Sequence, residues 1–111
     1  MDERAPDDVV AAYLTFPDAA TAEALAAELV AARLAACVNV LPPAVSVYRW
    51  QGAVVREPEV VAVAKTTAGR LAELVAMVEE RHPYEVPCVV AYPAVGGLVA
   101  YLDWVRGEVG G

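Results

Sequence analysis

The residues best suited to chemistry stand together in one segment, His82-Pro83-Tyr84-Glu85-Val86-Pro87-Cys88. This segment holds an imidazole, a phenol, a carboxylate and a thiol. Proline lacks an amide hydrogen and disfavours helical backbone at the residue before it, so Pro83 predicts that a helix ends at about His82. Between the two prolines the chain is expected to run extended. Such a rigid corner can hold polar side chains in fixed positions.

A soft-metal site is the first chemistry that these residue types suggest. Thiolate, thioether and imidazole groups suit copper(I) or zinc, which would enlist Cys37, Cys88, His82 and Met77, with Glu85 adding a carboxylate. No two of these residues have the spacing of a metal-binding motif. The alternative is that both cysteines are small buried hydrophobes and that His82, which continues the apolar stripe of a helix, is a packed core residue. Both interpretations remain open from the sequence.

A nucleophilic site would pair a cysteine with His82 and use Glu85 to orient the imidazole. The spacing gives no reason to place these groups on one scaffold, and the sequence has no glycine-rich phosphate loop. Trp50, Tyr84 and Trp104 do not lie in a basic run, which favours a core or interface role over stacking on nucleic-acid bases. The sequence therefore predicts a protein that is not an enzyme.

The composition indicates one acidic domain rich in apolar residues. At 111 residues the chain is near the commonest domain size, and 8 Lys plus Arg against 15 Asp plus Glu give a formal charge of −7. This balance argues against nucleic acid or a membrane surface as partner. No apolar run is long enough to span a membrane, and the acidic start does not resemble a signal peptide, so we expect a cytoplasmic protein. Hydrophobic residues make up 59%, more than one small core can hide, which suggests a buried subunit interface.

Two apolar runs predict strands that are buried on both faces. Residues 1–8 are mostly charged, so we expect a disordered lead, followed by a single domain over residues 9–111. The runs Val9 to Phe16 and Val60 to Ala64 contain almost no polar alternation. Strands with this composition are typically covered on both sides.

Three helices are predicted from capping residues and apolar periodicity. Asp18 or Thr21 can cap the first helix, which is expected to extend through Arg33. Thr67 is expected to cap the second, and the third is predicted from Leu98 to Val109. The apolar stripe of the second helix consists of Leu71, Leu74, Val75 and Val78.

The remaining segments complete an α+β fold. A strand region from Leu34 to Tyr48 is interrupted at Pro42-Pro43, Gln51-Gly52 predicts a hairpin turn, and a last strand runs from Cys88 to Tyr92. Two strand-helix-strand crossovers joined by a hairpin predict a ferredoxin-like β-α-β-β-α-β sandwich with an antiparallel sheet and a C-terminal helix. Helices then cover only one face of the sheet, so we expect another subunit to cover the other.

Five blocks of the sequence, in this order, resemble the CutA family of divalent-cation tolerance proteins. The resemblance runs from Val9 to Trp104, and each block alone would be weak evidence. The blocks are Arg33-Leu34-Ala35-Ala36-Cys37-Val38-Asn39, Tyr48-Arg49-Trp50-Gln51-Gly52, Lys65-Thr66-Thr67, His82-Pro83-Tyr84-Glu85-Val86-Pro87 and Tyr101-Leu102-Asp103-Trp104.

The resemblance implies a homotrimer, similar in outline to PII signalling proteins, with a role in tolerance of copper and other divalent cations and with no catalytic activity. Copper-binding relatives can carry a cysteine on the first strand and tandem histidines before the proline. This sequence has Leu14 and Arg81 at those positions, so only His82 of that set remains. The resemblance also implies a group of residues near the clefts between subunits, namely Cys37, Asn39, Trp50, Lys65, His82, Tyr84 and Trp104.

Two functional hypotheses follow. The first is a cytoplasmic homotrimer that responds to metal ions and binds copper or another divalent cation weakly, with no obligatory cofactor. Its metal ligands would be His82, Cys37, Cys88 and Glu85. The second is a PII-like small-molecule-sensing or protein-interaction trimer that holds an anionic or neutral ligand in the cleft between subunits. Its ligand contacts would be Asn39, Trp50, Lys65, Tyr84 and Trp104.

Overall fold

The computed structural model describes residues 4–110, which form five strands and three α-helices. The strand region predicted up to Tyr48 is two strands, separated at Pro42-Pro43, where proline cannot donate to a ladder. In chain order the elements are β1 (Val9–Phe16), α1 (Ala19–Ala31), β2 (Cys37–Val40), β3 (Ala44–Trp50), β4 (Ala53–Thr67), a 3₁₀ turn (Ala68–Arg70), α2 (Leu71–Arg81), β5 (Val89–Pro93) and α3 (Val99–Gly110).

The strands form an antiparallel sheet in the order β2-β4-β1-β5, so β1 and β4 lie in its interior. The 15-residue β4 also pairs with β3 in a hairpin. Gln51 and Gly52 form the predicted turn, and both have left-handed backbone, with φ of 48° and 82°. Two successive left-handed residues make the turn whose twist matches that of a hairpin.

The helix ends show which capping predictions hold. Asp18 caps α1, because its carboxylate accepts a hydrogen bond of 2.7 Å from the Thr21 amide, and this bond lowers the pKa of Asp18. The helix ends at Ala31 rather than at Arg33, which adopts φ of 58° and so leaves the helical conformation. The prediction for Thr67 is wrong, since its side chain makes no capping bond and α2 begins after the 3₁₀ turn, at Leu71.

One face of the sheet carries the main core, which α1 and α2 cover. Ala12, Leu14 and Phe16 of β1 are at most 1% exposed there and pack with Leu29 of α1 and Leu74 of α2. Because side chains alternate along a strand, the neighbouring residues of β1 point to the opposite face. We call this first side the covered face.

The opposite side, which we call the open face, consists of Tyr13, Val63, Val90 and Tyr92. The register places Val63 of β4 and Val90 of β5 on either side of Tyr13. Helix α3 packs on the same side of the sheet at one end only, where Val105 and Val109 contact Val9 and Ala36 in a second, smaller core. The rest remains accessible, with Tyr13 37%, Val90 45% and Tyr92 57% exposed.

The predicted disordered lead falls partly on residues 1–3, which lie outside the described residues. Its remainder includes a turn in which the Asp8 amide donates to the Ala5 carbonyl at 3.0 Å. The Gly69 amide donates to the Pro6 carbonyl at 2.7 Å, which joins this turn to the start of the 3₁₀ turn. The boundaries of a lead over 1–8 and one domain over 9–111 stay predictions.

Candidate functional site

The predicted end of the second helix is confirmed. The His82 amide still donates to the Val78 carbonyl at 2.8 Å, but the His82 backbone is extended, with ψ of 141°. Pro83 accounts for this change because it excludes helical backbone at the residue before it. The corner that follows leads directly into β5, so it lies at the edge of the sheet next to β1.

Both ring nitrogens of His82 have hydrogen-bond partners within the chain. Nε2 lies 2.7 Å from the Thr15 carbonyl, and Nδ1 accepts a bond of 3.0 Å from the Tyr84 amide. A carbonyl can only accept and an amide can only donate, so these partners require the neutral tautomer with its proton on Nε2. The ring is 7% exposed and stacks on Phe16 at 4.8 Å.

His82 therefore connects the end of α2 to β1 and to the corner. A metal ion bound to either nitrogen would displace one of these two hydrogen bonds. The assignment of His82 as a metal ligand stays a prediction, and the observed bonds oppose it. The alternative interpretation from the sequence, a packed histidine, describes its surroundings.

Two tyrosine-carboxylate pairs lie beside this corner. The Tyr84 hydroxyl donates to Glu59 at 3.2 Å, and the Tyr48 hydroxyl donates to Glu57 at 3.2 Å. Burial and the adjacent negative charge of Glu59 raise the pKa of Tyr84 to about 12. Burial and Glu57 likewise raise the pKa of Tyr48. Both phenols therefore stay neutral and act as donors at physiological pH.

A groove with a volume of about 580 Å³ runs between the β3–β4 hairpin and the corner. We call it the acidic groove, because Glu59 and Glu85 line it and, among residues 4–110, no Lys, Arg or His side chain does. Cys88 and the aromatic rings of Tyr13, Tyr48, Trp50 and Tyr84 also line it. The groove thus brings together four of the residues selected from the sequence, Trp50, Tyr84, Glu85 and Cys88.

Four more of the predicted site residues, Cys37, Asn39, Lys65 and Trp104, lie together with Tyr101 in a second group. We call these five residues the edge cluster. The Cys37 thiol and the Tyr101 hydroxyl are 3.3 Å apart, and this hydrogen bond raises the pKa of Tyr101. Lys65 lies opposite Cys37 in the strand register and donates to the Asn39 side-chain carbonyl. The rings of Tyr101 and Trp104 are 5.6 Å apart. None of these five side chains lines the acidic groove.

The proposed metal ligands are consequently dispersed in a single chain. Cys37 is on β2 and Cys88 directly precedes β5, at opposite edges of the sheet, while Met77 packs against the main core. Within residues 4–110, no three His, Cys, Asp or Glu side chains are placed to hold a metal ion together. From this described part of the chain, one subunit offers fewer than three such groups to any one metal ion.

Sequence reasoning missed Glu57 and Glu59. The signal was available for Glu57, since a two-residue turn at Gln51-Gly52 pairs Trp50 with Ala53 and makes Glu57 a diagonal neighbour of Tyr48. For Glu59 no local signal exists, because its partner Tyr84 lies in a distant part of the sequence.

Among the described residues, every helix falls short of the length and hydrophobicity that crossing a membrane requires.

The sequence matches the family model described as CutA1 divalent ion tolerance protein over residues 10–108. It is 44% identical over 97 residues to the divalent-cation tolerance protein CutA of Thermus thermophilus, covering 87% of this chain and 94% of that protein. It is 41% identical over 101 residues to human Protein CutA, covering 91% of this chain but only 56% of the human protein.

Solved structures show the same similarity in three dimensions. The fold is similar to that of CutA from Xylella fastidiosa, with a TM-score of 0.88, 39% identity and coverage of 92% of this chain and 98% of that one. A protein described as the periplasmic divalent cation tolerance protein CutA from Archaeoglobus fulgidus gives a TM-score of 0.88 at 35% identity, covering 91% of this chain and 98% of that one. The mixed fold with an antiparallel sheet and three helices therefore agrees with that of these structures.

Proposed function

The chain belongs to the CutA1 family of divalent ion tolerance proteins, and from this premise we propose that it is a homotrimer that binds copper or another divalent cation weakly, without catalysing a reaction. The name of the family supports a role connected with divalent cations. The bound ion, the assembly and the ligands are our proposals. No obligatory cofactor is part of this function.

We propose a ferredoxin-like subunit whose open face is buried in the trimer. The interior position of β1 and β4 and the two helices on one side of the sheet support this topology. Val90 and Tyr92 would otherwise leave an apolar surface in water, which is characteristic of an interface, and Tyr13 lies where this surface borders the acidic groove. A closed ring of three copies would cover the same surface on each subunit.

The observation that carries the metal hypothesis is the charge of the acidic groove. In the described part of the chain, the formally charged residues that line it are two carboxylates, Glu59 and Glu85, and Cys88 beside them offers a soft sulfur ligand. Glu85 and Cys88 are therefore our first choice of ligands. Cys37 lies at the opposite edge of the sheet, so it could join such a site only from a neighbouring subunit. So few ligands from one chain agree with weak binding.

The geometry does not favour the second hypothesis, an anionic or neutral ligand in the cleft. Lys65 would have to supply the positive charge, but it donates to Asn39 and does not line the acidic groove. The cleft residues proposed from the sequence belong to two separate groups within one chain. A cation suits the observed negative charge better than an anion does.

The bonds of His82 argue against the nucleophilic hypothesis. The single histidine is buried and hydrogen-bonded at both nitrogens, so it is not available to activate either cysteine as the sequence hypothesis required. The cytoplasmic location and the absence of nucleic-acid and membrane partners stay predictions.

Calorimetric titration of the reduced, tag-free protein with zinc and copper(I), with light scattering on the same sample, tests the proposal. We expect a trimer that binds metal, and we expect the double variant Glu85→Gln/Cys88→Ala to bind it about tenfold more weakly, equivalent to ~1.4 kcal/mol. Glu79→Gln on the exposed surface of α2 is the matched control for loss of one carboxylate. A wild-type trimer that binds no metal, or a double variant with unchanged affinity, would contradict the proposal.

A further inference from the structure

The acidic groove has walls that a metal site does not need. Four of its lining side chains are aromatic, namely Tyr13, Tyr48, Trp50 and Tyr84, and the Trp50 ring is 55% exposed. A volume of about 580 Å³ is far larger than one ion and lies in the range of small-molecule sites, roughly 300 to 1,000 Å³. The shape and lining therefore suit an organic molecule.

The carboxylates of this groove have no basic partner. Within residues 4–110 the ion pairs involve Glu28, Glu73, Glu80 and Asp103, and none involves Glu59 or Glu85. Tyr84 holds Glu59 by a hydrogen bond to a neutral hydroxyl, which positions the carboxylate but leaves its charge uncompensated. Burial, together with the negative charge of Glu59, raises the pKa of Tyr84, which keeps this hydroxyl neutral. A ligand that enters the groove meets fixed negative charge between aromatic faces.

We infer that the acidic groove binds a small organic cation, an alkylammonium or a guanidinium that carries an apolar body. The positive group would lie between the carboxylates and the aromatic faces, since ring quadrupoles and carboxylates both attract a cation. The apolar body would contact Val47 and Val86, which also line the groove. This inference goes beyond the proposed function, because its ligand is not a metal ion.

An organic cation would use features of the groove that a metal ion leaves unused. A divalent metal ion gains most from several converging donor atoms at short distance, and no such group exists among the described residues. A large alkylammonium is weakly hydrated and needs no such convergence, so two carboxylates and a set of rings suffice. The aromatic walls then contribute to binding instead of serving only as structure.

The test compares choline with its neutral analogue, in which a tert-butyl group replaces the trimethylammonium group. Both are titrated calorimetrically into the assembled protein in a buffer with a metal chelator. We expect choline to bind at least about tenfold more tightly than the neutral analogue, because only choline has cation–π and charge interactions. We expect Glu59→Gln and Trp50→Leu each to weaken choline binding several-fold, while Glu79→Gln leaves it unchanged. Circular dichroism and light scattering verify that each variant is folded and assembled.

Equal affinity for choline and the neutral analogue would overturn the inference, because the groove would then be merely apolar. Absence of choline binding at millimolar concentration would also overturn it, including the case in which a second copy of the chain fills the groove. The chelator separates this result from the metal proposal. Choline binding in a protein that binds no metal supports this inference alone, and metal binding without choline binding supports only the proposed function.

Discussion

The two faces of the sheet have similar apolar composition but very different exposure. On the covered face, Leu14 and Ala62 have no exposed surface, whereas on the open face Tyr13 is 37% and Tyr92 57% exposed. The strand sequence requires that both faces avoid water, but it does not state what covers each one. The chain covers one face with its own helices α1 and α2, and we propose that other subunits cover the remaining one. The difference shows that an apolar pattern predicts burial without identifying the partner.

The largest effect is expected on the covered face. Leu14→Ala removes a fully buried side chain of the main core and should lower the free energy of unfolding by about 3 kcal/mol, since the surrounding core cannot close the cavity completely. Urea denaturation at several protein concentrations measures this change. The loss should be the same at every concentration, because the residue belongs to the subunit and not to the interface. A loss that disappears at high concentration would contradict the distinction between the two faces.

A smaller but substantial effect is expected where His82 joins the helix layer to the sheet. His82→Ala leaves the Thr15 carbonyl and the Tyr84 amide without their partner and should cost ~2 kcal/mol or more, measured by the same denaturation. His82→Gln, whose amide can donate and accept, should recover part of this loss. If His82→Ala instead abolished metal binding at unchanged stability, His82 would be a ligand rather than a structural residue.

The open face should respond in assembly rather than in subunit stability. Tyr92→Lys places a charge on the apolar surface that we assign to the trimer, so light scattering should show smaller species at low concentration. The free energy of unfolding of the subunit should fall by less than about 0.5 kcal/mol, because Tyr92 is accessible to water within one chain. Glu79→Lys on the exposed surface of α2 is the control and should leave the assembly unchanged. A Tyr92→Lys protein of the same mass as wild type would show that the open face is not the interface.

The effect that is smallest at neutral pH on assembly and fold together concerns Tyr84, which lines the groove at the edge of the open face. The raised pKa of Tyr84 means that folding favours the neutral phenol. The contribution of Tyr84 to the free energy of unfolding is therefore complete below pH 10 and is lost between pH 10 and about 12. Near-ultraviolet absorbance titration should show a tyrosine that ionises late, and Tyr84→Phe should remove it. At neutral pH, Tyr84→Phe should lower the free energy of unfolding by only about 1 kcal/mol, because it removes the hydrogen bond to Glu59. An unchanged titration curve in Tyr84→Phe would contradict this assignment.

The candidate site shows where prediction from sequence stops. The corner from His82 to Cys88 was recognised as a rigid segment, and Tyr84, Glu85 and Cys88 do meet in one groove with Trp50. Cys37 and Lys65 have equal support in the sequence, yet they lie in the edge cluster. Cys37 is on β2, which two interior strands separate from β5, and Lys65 lies opposite Cys37 on β4. Glu59 had no reason to be selected, since only the antiparallel sheet brings it to Tyr84.

The sequence by itself determined the features that depend on a few adjacent residues. Local backbone preferences account for the turn at Gln51-Gly52, the cap at Asp18 and the helix end before Pro83. The five sequence blocks were sufficient to identify the family. Only the tertiary structure decided that both nitrogens of His82 have partners inside the chain and that the described residues lining the acidic groove include no basic one. The physical reason is that such contacts depend on strand order and register, which join residues far apart in sequence.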